Sequence, residues 1–274
     1  IATGNRPRGI ITSPDGKEIF VCVGDDDALE VIDVASLEIT RRMGSGPDPE
    51  LLDVDPTGER IYIANEDDAM VTVMLASSGE VLAEVPVGVE PEGMRVHPNN
   101  AITVATSEET SMAHFIDNAE LTLVANVLVD TRPRHAEYTR DGTQVWVSAE
   151  IGGTVSVIDI EQREIVHKIR FEIAGMRSEL IQPVGMRMSK DGTHAFVALG
   201  PANHVAVVNV ATYEVERYVL VGQRPWHMEI NPDGSRLYVA NGLTNDITVI
   251  DTKSLRATRS VPVGRLPWGI AYAP

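Results

Sequence analysis

Pro225 opens a stretch in which Met228-Glu229-Ile230 runs into Asn231-Pro232-Asp233-Gly234 and then into Arg236-Leu237-Tyr238-Val239-Ala240-Asn241. Pro232 supplies a fixed φ, and Asp233-Gly234 tolerates the tight conformations of a hairpin turn. The six residues after the turn are rich in β-formers and have the usual length of a strand. The same order recurs along the chain. Pro7, Pro49, Pro91, Pro133, Pro183, Pro225 and Pro267 follow one another at 42, 42, 42, 50, 42 and 42 residues. The other turns read Ser13-Pro14-Asp15-Gly16, Asp55-Pro56-Thr57-Gly58, His97-Pro98-Asn99-Asn100, Arg140-Asp141-Gly142 and Lys190-Asp191-Gly192. A polar loop, an alternating run such as Thr154 to Asp159 and a fourth apolar run such as Glu80 to Val87 complete each period.

Four short strands in about 42 residues, with no helical periodicity, describe a propeller blade rather than a helical solenoid repeat. The expectation is an all-β, seven-bladed β-propeller of four-stranded antiparallel blades, forming a single domain over residues 1–274. One blade is expected to be incomplete. Only Trp268 to Pro274 follow Pro267, enough for one inner strand, while Ile1 to Gly4 would end an outer strand. Closure by N- and C-terminal strands in one blade is therefore expected, with strands upstream of Ile1 missing from the chain.

Forty acidic against twenty-three basic residues give a formal net charge of -17, which opposes binding to nucleic acid or anionic lipid. No run of eighteen apolar residues predicts membrane insertion. The single cysteine, Cys22, lies in the apolar run Ile19 to Val23 and reads as a buried structural thiol.

Blade geometry gathers distant residues onto one face. Loops between second and third strands place Asp25, Asp26 and Asp27 with Glu66, Asp67 and Asp68, while inner-strand entries add Asp48, Glu50, Glu90 and Glu92. Such a sector is either a solvated acidic rim or a seat for a hard multivalent cation such as calcium. The other inner-strand entries bring Arg6, Arg8, Arg134, His135, Arg224, Trp226, His227 and Trp268 to the channel mouth, with Arg132 and Arg265. Guanidinium forks and indole faces suit an anionic or planar small molecule. Pairs of Arg8 or Arg134 with Glu50 or Glu92 would instead neutralise the mouth.

The 50-residue interval carries an insertion, Phe171 to Gln182, expected on the same face as a lid or docking loop, or as packing for blades four and five. No nucleophile elbow, phosphate loop or dinucleotide fingerprint occurs, and no catalytic residue is assigned.

The repeats resemble the YVTN β-propeller family, with Tyr62-Ile63-Ala64-Asn65 and Tyr238-Val239-Ala240-Asn241 closest to its motif. Gln182-Pro183-Val184-Gly185, Ala198 to Asn203, Thr212 to Val215, Val221 to Arg224, Asn245-Asp246 with Val249 to Asp251, and Val263 to Gly269 resemble β-propeller proteins associated with pyrroloquinoline quinone (PQQ)-dependent catabolism. That resemblance implies a periplasmic, non-catalytic accessory of PQQ-dependent alcohol oxidation. Its implied partners are a PQQ-dependent dehydrogenase or transporter component, and its implied ion is calcium or a lanthanide. Two rival expectations stand beside it: a lactonase- or lyase-type enzyme using His135, His227 and Arg134 near a metal, and a protein-interaction scaffold.

Overall fold

The computed structural model describes residues 1–273 and consists of six four-stranded antiparallel sheets, each with its strands in chain order. The first holds β1 (Pro7–Thr12), β2 (Glu18–Val23), β3 (Ala28–Asp33) and β4 (Ile39–Gly44). The second holds β5 (Pro49–Val54), β6 (Arg60–Asn65), β7 (Met70–Leu75) and β8 (Val81–Pro86). The third holds β9 (Pro91–Val96), β10 (Ile102–Ser107), β11 (Met112–Asp117) and β12 (Thr122–Leu128). These blades form one compact unit, Ile1–Leu128.

A second unit, Val129–Tyr272, carries the other three blades. They are β13 (Pro133–Tyr138), β14 (Gln144–Ala149), β15 (Thr154–Asp159) and β16 (Glu164–Arg170); β17 (Met186–Met188), β18 (His194–Ala198), β19 (His204–Asn209) and β20 (Val215–Leu220); and β21 (Pro225–Ile230), β22 (Arg236–Asn241), β23 (Asp246–Asp251) and β24 (Arg256–Pro262).

The expected seventh, incomplete blade is not there: the fold is a propeller of six blades among the described residues. Trp268 to Ala273 carry no strand, and neither do Ile1 to Gly4. A lone inner segment has no second and third strands to complete its ladder, so backbone polar groups find other partners. His227 N–H is directed at the Trp268 carbonyl at 3.4 Å, and Gly4 N–H is held by the Glu30 carboxylate at 3.1 and 3.2 Å. The repeat beginning at Pro183 also departs from the pattern, with an inner strand shortened to Met186–Met188.

Each full inner strand begins on its proline, where the missing N–H costs the ladder least. The residue before that proline lies in the left-handed region at Arg6, Asp48, Glu90, Arg132 and Arg224, with φ between 51° and 62°, and Leu266 before Pro267 does the same. That conformation costs a non-glycine residue roughly 1–2 kcal/mol. A repeated hydrogen bond holds it: the carbonyls of Arg6, Asp48, Glu90, Arg132 and Arg224 accept from the backbone N–H of Gly24, Glu66, Glu108, Glu150 and Gly242 at 2.8–3.0 Å. The inner-strand entry is thereby tied to the loop after the second strand.

On the opposite side, the Asp-Gly turns are held by their own side chains. Asp191 accepts from the Ser189 hydroxyl at 2.6 Å and from Thr193, and these bonds hold its carboxyl at about 2. Most residues of the second and third strands are buried, and within each unit adjacent blades pack their side chains into shared cores. Phe20, Cys22, Leu29, Val31, Ile61, Ile63 and Met74 form such a core in the first unit. In the second unit, Trp146, Val157, Met186 and Ala206 form one, and Phe196, Val207, Met228 and Val239 another. Each fully buried large side chain contributes about 1.5–3 kcal/mol. Cys22 lies within its core as expected, and burial pushes its thiol well up.

Candidate functional site

The loops carrying the acidic candidates fold as single turns of 3-10 helix, Gly24–Asp26 and Glu66–Asp68, each closed by a left-handed residue, Asp27 or Ala69. Their side chains do not converge as one set. Asp25, Asp67 and Asp68 are exposed. Asp26 accepts from the Asn5 backbone and side chain and pairs with Arg42 at 2.7 Å, bonds that pull its carboxyl down. Asp27 accepts from the Asp48 N–H at 3.1 Å, fixing the next blade's entry.

The carboxylates that do converge are Asp48, Glu50 and Glu66, whose oxygens lie within 4.8 Å of one another, a spacing that could hold a metal ion. A guanidinium already stands among them. Arg6 pairs with Asp48, with Glu50 at 2.5 Å and with Glu66 at 3.5 Å, and Arg8 Nε adds a contact to Glu50 at 3.3 Å. Glu50 and Glu92 are both buried. Burial, then the charge of Glu92, push the Glu50 carboxyl up against the pull of Arg8 and Arg6. Arg6 and Arg8 thus bring positive charge to these carboxylates.

The remaining candidates assemble in the second unit, and the centre of their assembly is a residue sequence reasoning did not single out. Glu150, directly after β14, is buried. Its Oε2 receives Arg132 Nε at 3.3 Å and Arg134 Nε at 3.1 Å, and its Oε1 receives Arg224 Nη2 at 2.7 Å. Arg224 also donates to Gln182 Oε1 at 3.0 Å. The Trp226 ring lies against this cluster, with Arg224 Cζ 4.2 Å and Arg134 Cζ 5.5 Å from its centroid. Trp268 follows at 6.3 Å from Trp226, and His227 packs on Trp268 at 4.3 Å.

His135 and His227 belong to blades with a third blade between them, yet their ring centroids are only 5.4 Å apart. The intervening blade contributes Gly185, where a Cβ would lie 2.5 Å from the Trp226 carbonyl and 3.0 Å from His227 Nδ1. Four residues after five of the seven repeat prolines comes a charged position, and in this unit Arg187 lies between Glu137 at 3.4 Å and Glu229 at 3.2 Å. Arg187 Nη1 also meets His135 Nε2 at 3.2 Å. Because guanidinium can only donate, this contact makes Nε2 the acceptor and puts the ring proton on Nδ1. The recurrence of Asp53, Arg95, Glu137, Arg187 and Glu229 at the proline spacing is a signal that could have found them.

The insertion is anchored. Phe171 and Ile181 are buried in the core shared by Trp146 and Met186, and Ile173 and Met176 pack against it. Ser178–Leu180 forms a short 3-10 turn.

Three guanidiniums around a carboxylate, beside two indoles, make an arrangement suited to carboxylate recognition with ring stacking.

Comparison with known proteins bears on the same region. Hydrazine synthase of Kuenenia stuttgartiensis superimposes with a TM-score of 0.87 at 18% identity, covering 100% of this chain and 92% of that one. A functionally unknown protein from Desulfotomaculum acetoxidans DSM 771 does so with a TM-score of 0.84 at 15% identity, covering 99% and 90%. At these identities the likeness is one of fold. No curated protein sequence matches. The family described as "Lactonase, 7-bladed beta-propeller" matches residues 113–259, more than half of the chain and most of the Glu150 cluster. This chain belongs to that lactonase β-propeller family, and folds six four-stranded blades among its described residues.

Proposed function

We propose that the chain is a binding protein for a planar, carboxylate-bearing small molecule, received by Arg132, Arg134 and Arg224 and stacked on Trp226 and Trp268. The observation that carries this reading is Glu150: its carboxylate is gripped by all three arginines, with an indole alongside. An incoming carboxylate would meet the same forks. In the setting that the PQQ resemblance implies, the ligand is the flat, carboxylate-bearing quinone. The protein is then a periplasmic accessory to a PQQ-dependent dehydrogenase or transporter component, and acts without catalysis. Calorimetric titration with PQQ and with benzene-1,3,5-tricarboxylate tests the reading. Saturable binding to the native chain, lost in Arg224→Ala, is expected; heat of dilution alone from both compounds would overturn it.

The family match favours a second reading, hydrolysis of an anionic lactone. Here the arginines hold the substrate's anionic group while water oxygen bonds to the lactone carbonyl carbon. The ring C–O bond breaks, and the proton taken from water, through His227 as the nearby imidazole, passes to the departing alkoxide. A pH-stat assay on sugar-acid lactones decides it. Acid release above the uncatalysed rate, abolished in His227→Gln, supports hydrolysis, and release at the uncatalysed rate excludes it.

A further inference from the structure

The insertion borders a cavity of about 350 Å³, lined by Ile151, Gly152, Gly153, Arg170, Phe171, Glu172, Ser178, Glu179 and Ile181. Its size falls within the range of small-ligand sites. Three observations tie it to the arginine cluster. The two residues that hold the Arg224 guanidinium are Glu150, at 2.7 Å, and Gln182, at 3.0 Å. Each is the chain neighbour of a residue in the cavity wall, Ile151 on one side and Ile181 on the other. Gln182 also donates from Nε2 to the carbonyl of Glu179, another wall residue, at 3.0 Å. Arg224 therefore stands at the border between the carboxylate-binding cluster and this cavity.

We infer that the cavity is the second half of the same binding site, taking a short aliphatic tail that ends in an ammonium group. The inference rests on the carboxylate-binding reading proposed above. The chemistry of the wall selects the tail. Ile151, although 58% exposed, and the buried Phe171 and Ile181 offer apolar surface to methylenes. Glu172 and Glu179 outnumber Arg170, so a cationic end meets favourable charge. Gly152 and Gly153 leave their part of the wall without side chains. The ends of the insertion are fixed by Phe171 and Ile181 in the core, and its backbone is further held by Glu172 N–H donating to the Tyr218 hydroxyl at 2.9 Å. The wall is preformed, so a tail entering it orders little protein. An insertion confined to one of the repeats thus becomes the specificity element of the site.

Two mono-amides of benzene-1,3,5-tricarboxylate, one N-methyl and one N-(5-aminopentyl), test this by calorimetric titration. Both carry the same anionic head, and only the second carries the tail. The native chain should bind the aminopentyl amide at least about tenfold more tightly, a difference of about 1.4 kcal/mol. Ser178→Trp, which fills the cavity from an exposed position, should bind both amides equally, at the native affinity for the methyl compound. Ile151→Trp fills it from the loop after β14 and should do the same, so a folding defect in one variant leaves the other to answer. Equal binding of both amides by the native chain, or a tail advantage that survives both tryptophans, would overturn the inference and leave the carboxylate site standing. Failure of both amides to bind the native chain would overturn that site and this extension together.

Discussion

Replacing Glu150 by glutamine should move stability and ligand affinity in opposite directions. The substitution keeps size and one acceptor oxygen but removes the charge that Arg134 and Arg224 meet at 3.1 and 2.7 Å. Each charge-assisted bond to a buried carboxylate contributes about 1.5–3 kcal/mol. Arg132, whose side chain is 42% exposed, is screened by solvent and counts for little. The glutamine oxygen recovers part of the loss while its amide group faces guanidinium, so the net cost is about 2–4 kcal/mol. For a chain of this size that lowers Tm by roughly 5–12 °C. The same change removes the internal competitor for incoming carboxylates. Affinity for benzene-1,3,5-tricarboxylate should rise at least about fivefold, equivalent to about 1 kcal/mol. Scanning calorimetry and isothermal titration read the two effects on one preparation. An unchanged Tm, or an affinity that falls along with it, would refute the assignment of Glu150 as an internal stand-in for the ligand.

Gly185→Ala places a methyl 2.5 Å from the Trp226 carbonyl, which is backbone and cannot swing aside. A loss of about 1–3 kcal/mol in urea unfolding is expected, with weakened carboxylate binding as Trp226 shifts. Burial holds His114 below the ordinary imidazole value, partly offset by Asn126. The unfolded chain therefore takes up a proton near about pH 6.5 that the folded chain refuses, and stability present above that pH is lost as pH falls through the lower folded value. His114→Gln should flatten this part of the stability profile in urea titrations between about pH 7 and pH 5. Arg6→Ala removes the guanidinium shared by Asp48, Glu50 and Glu66 and leaves Arg8 alone on Glu50. Its Tm should fall, and calcium or a trivalent lanthanide should restore it while raising that of the native chain far less. An equal rise in both proteins would show that Arg6 does not stand in the cation's place.

The periodic prolines and Asp-Gly turns made four-stranded blades legible in the sequence, because both act locally through φ and hydrogen-bonding side chains. Blade number was not legible in the same way. A proline such as Pro267 marks where an inner strand can begin, but a strand also needs a partner ladder, and counting prolines counts starts. The basic and aromatic half of the site was visible at Arg134, Arg224, Trp226 and Trp268, since their positions after or before a proline fix where they emerge. Glu150 escaped notice because it belongs to a loop between second and third strands, and its role depends on Arg224 from another repeat as well as on Arg132 and Arg134 from its own. The acidic sector looked like one cluster in sequence. In the folded chain Asp26 turns to Asn5 and Arg42, and Asp27 to a backbone N–H, choices that depend on single side chains rather than on charge pattern. The closeness of His135 and His227 was likewise hidden in what Gly185 lacks.

The left-handed residue before five of the six inner strands has a consequence for how such proteins diversify. Its backbone is held by a carbonyl bond common to blade after blade, so the conformation does not depend on which side chain is present. Arginine fills that position three times, aspartate and glutamate once each, all with φ between 51° and 62°. These positions behave as interchangeable sockets spaced around a common frame. Point substitutions there can exchange a cation for an anion without rebuilding a strand. Two propellers that share every backbone hydrogen bond can consequently present opposite potentials to their ligands, and fold similarity on this scaffold says little about what is bound.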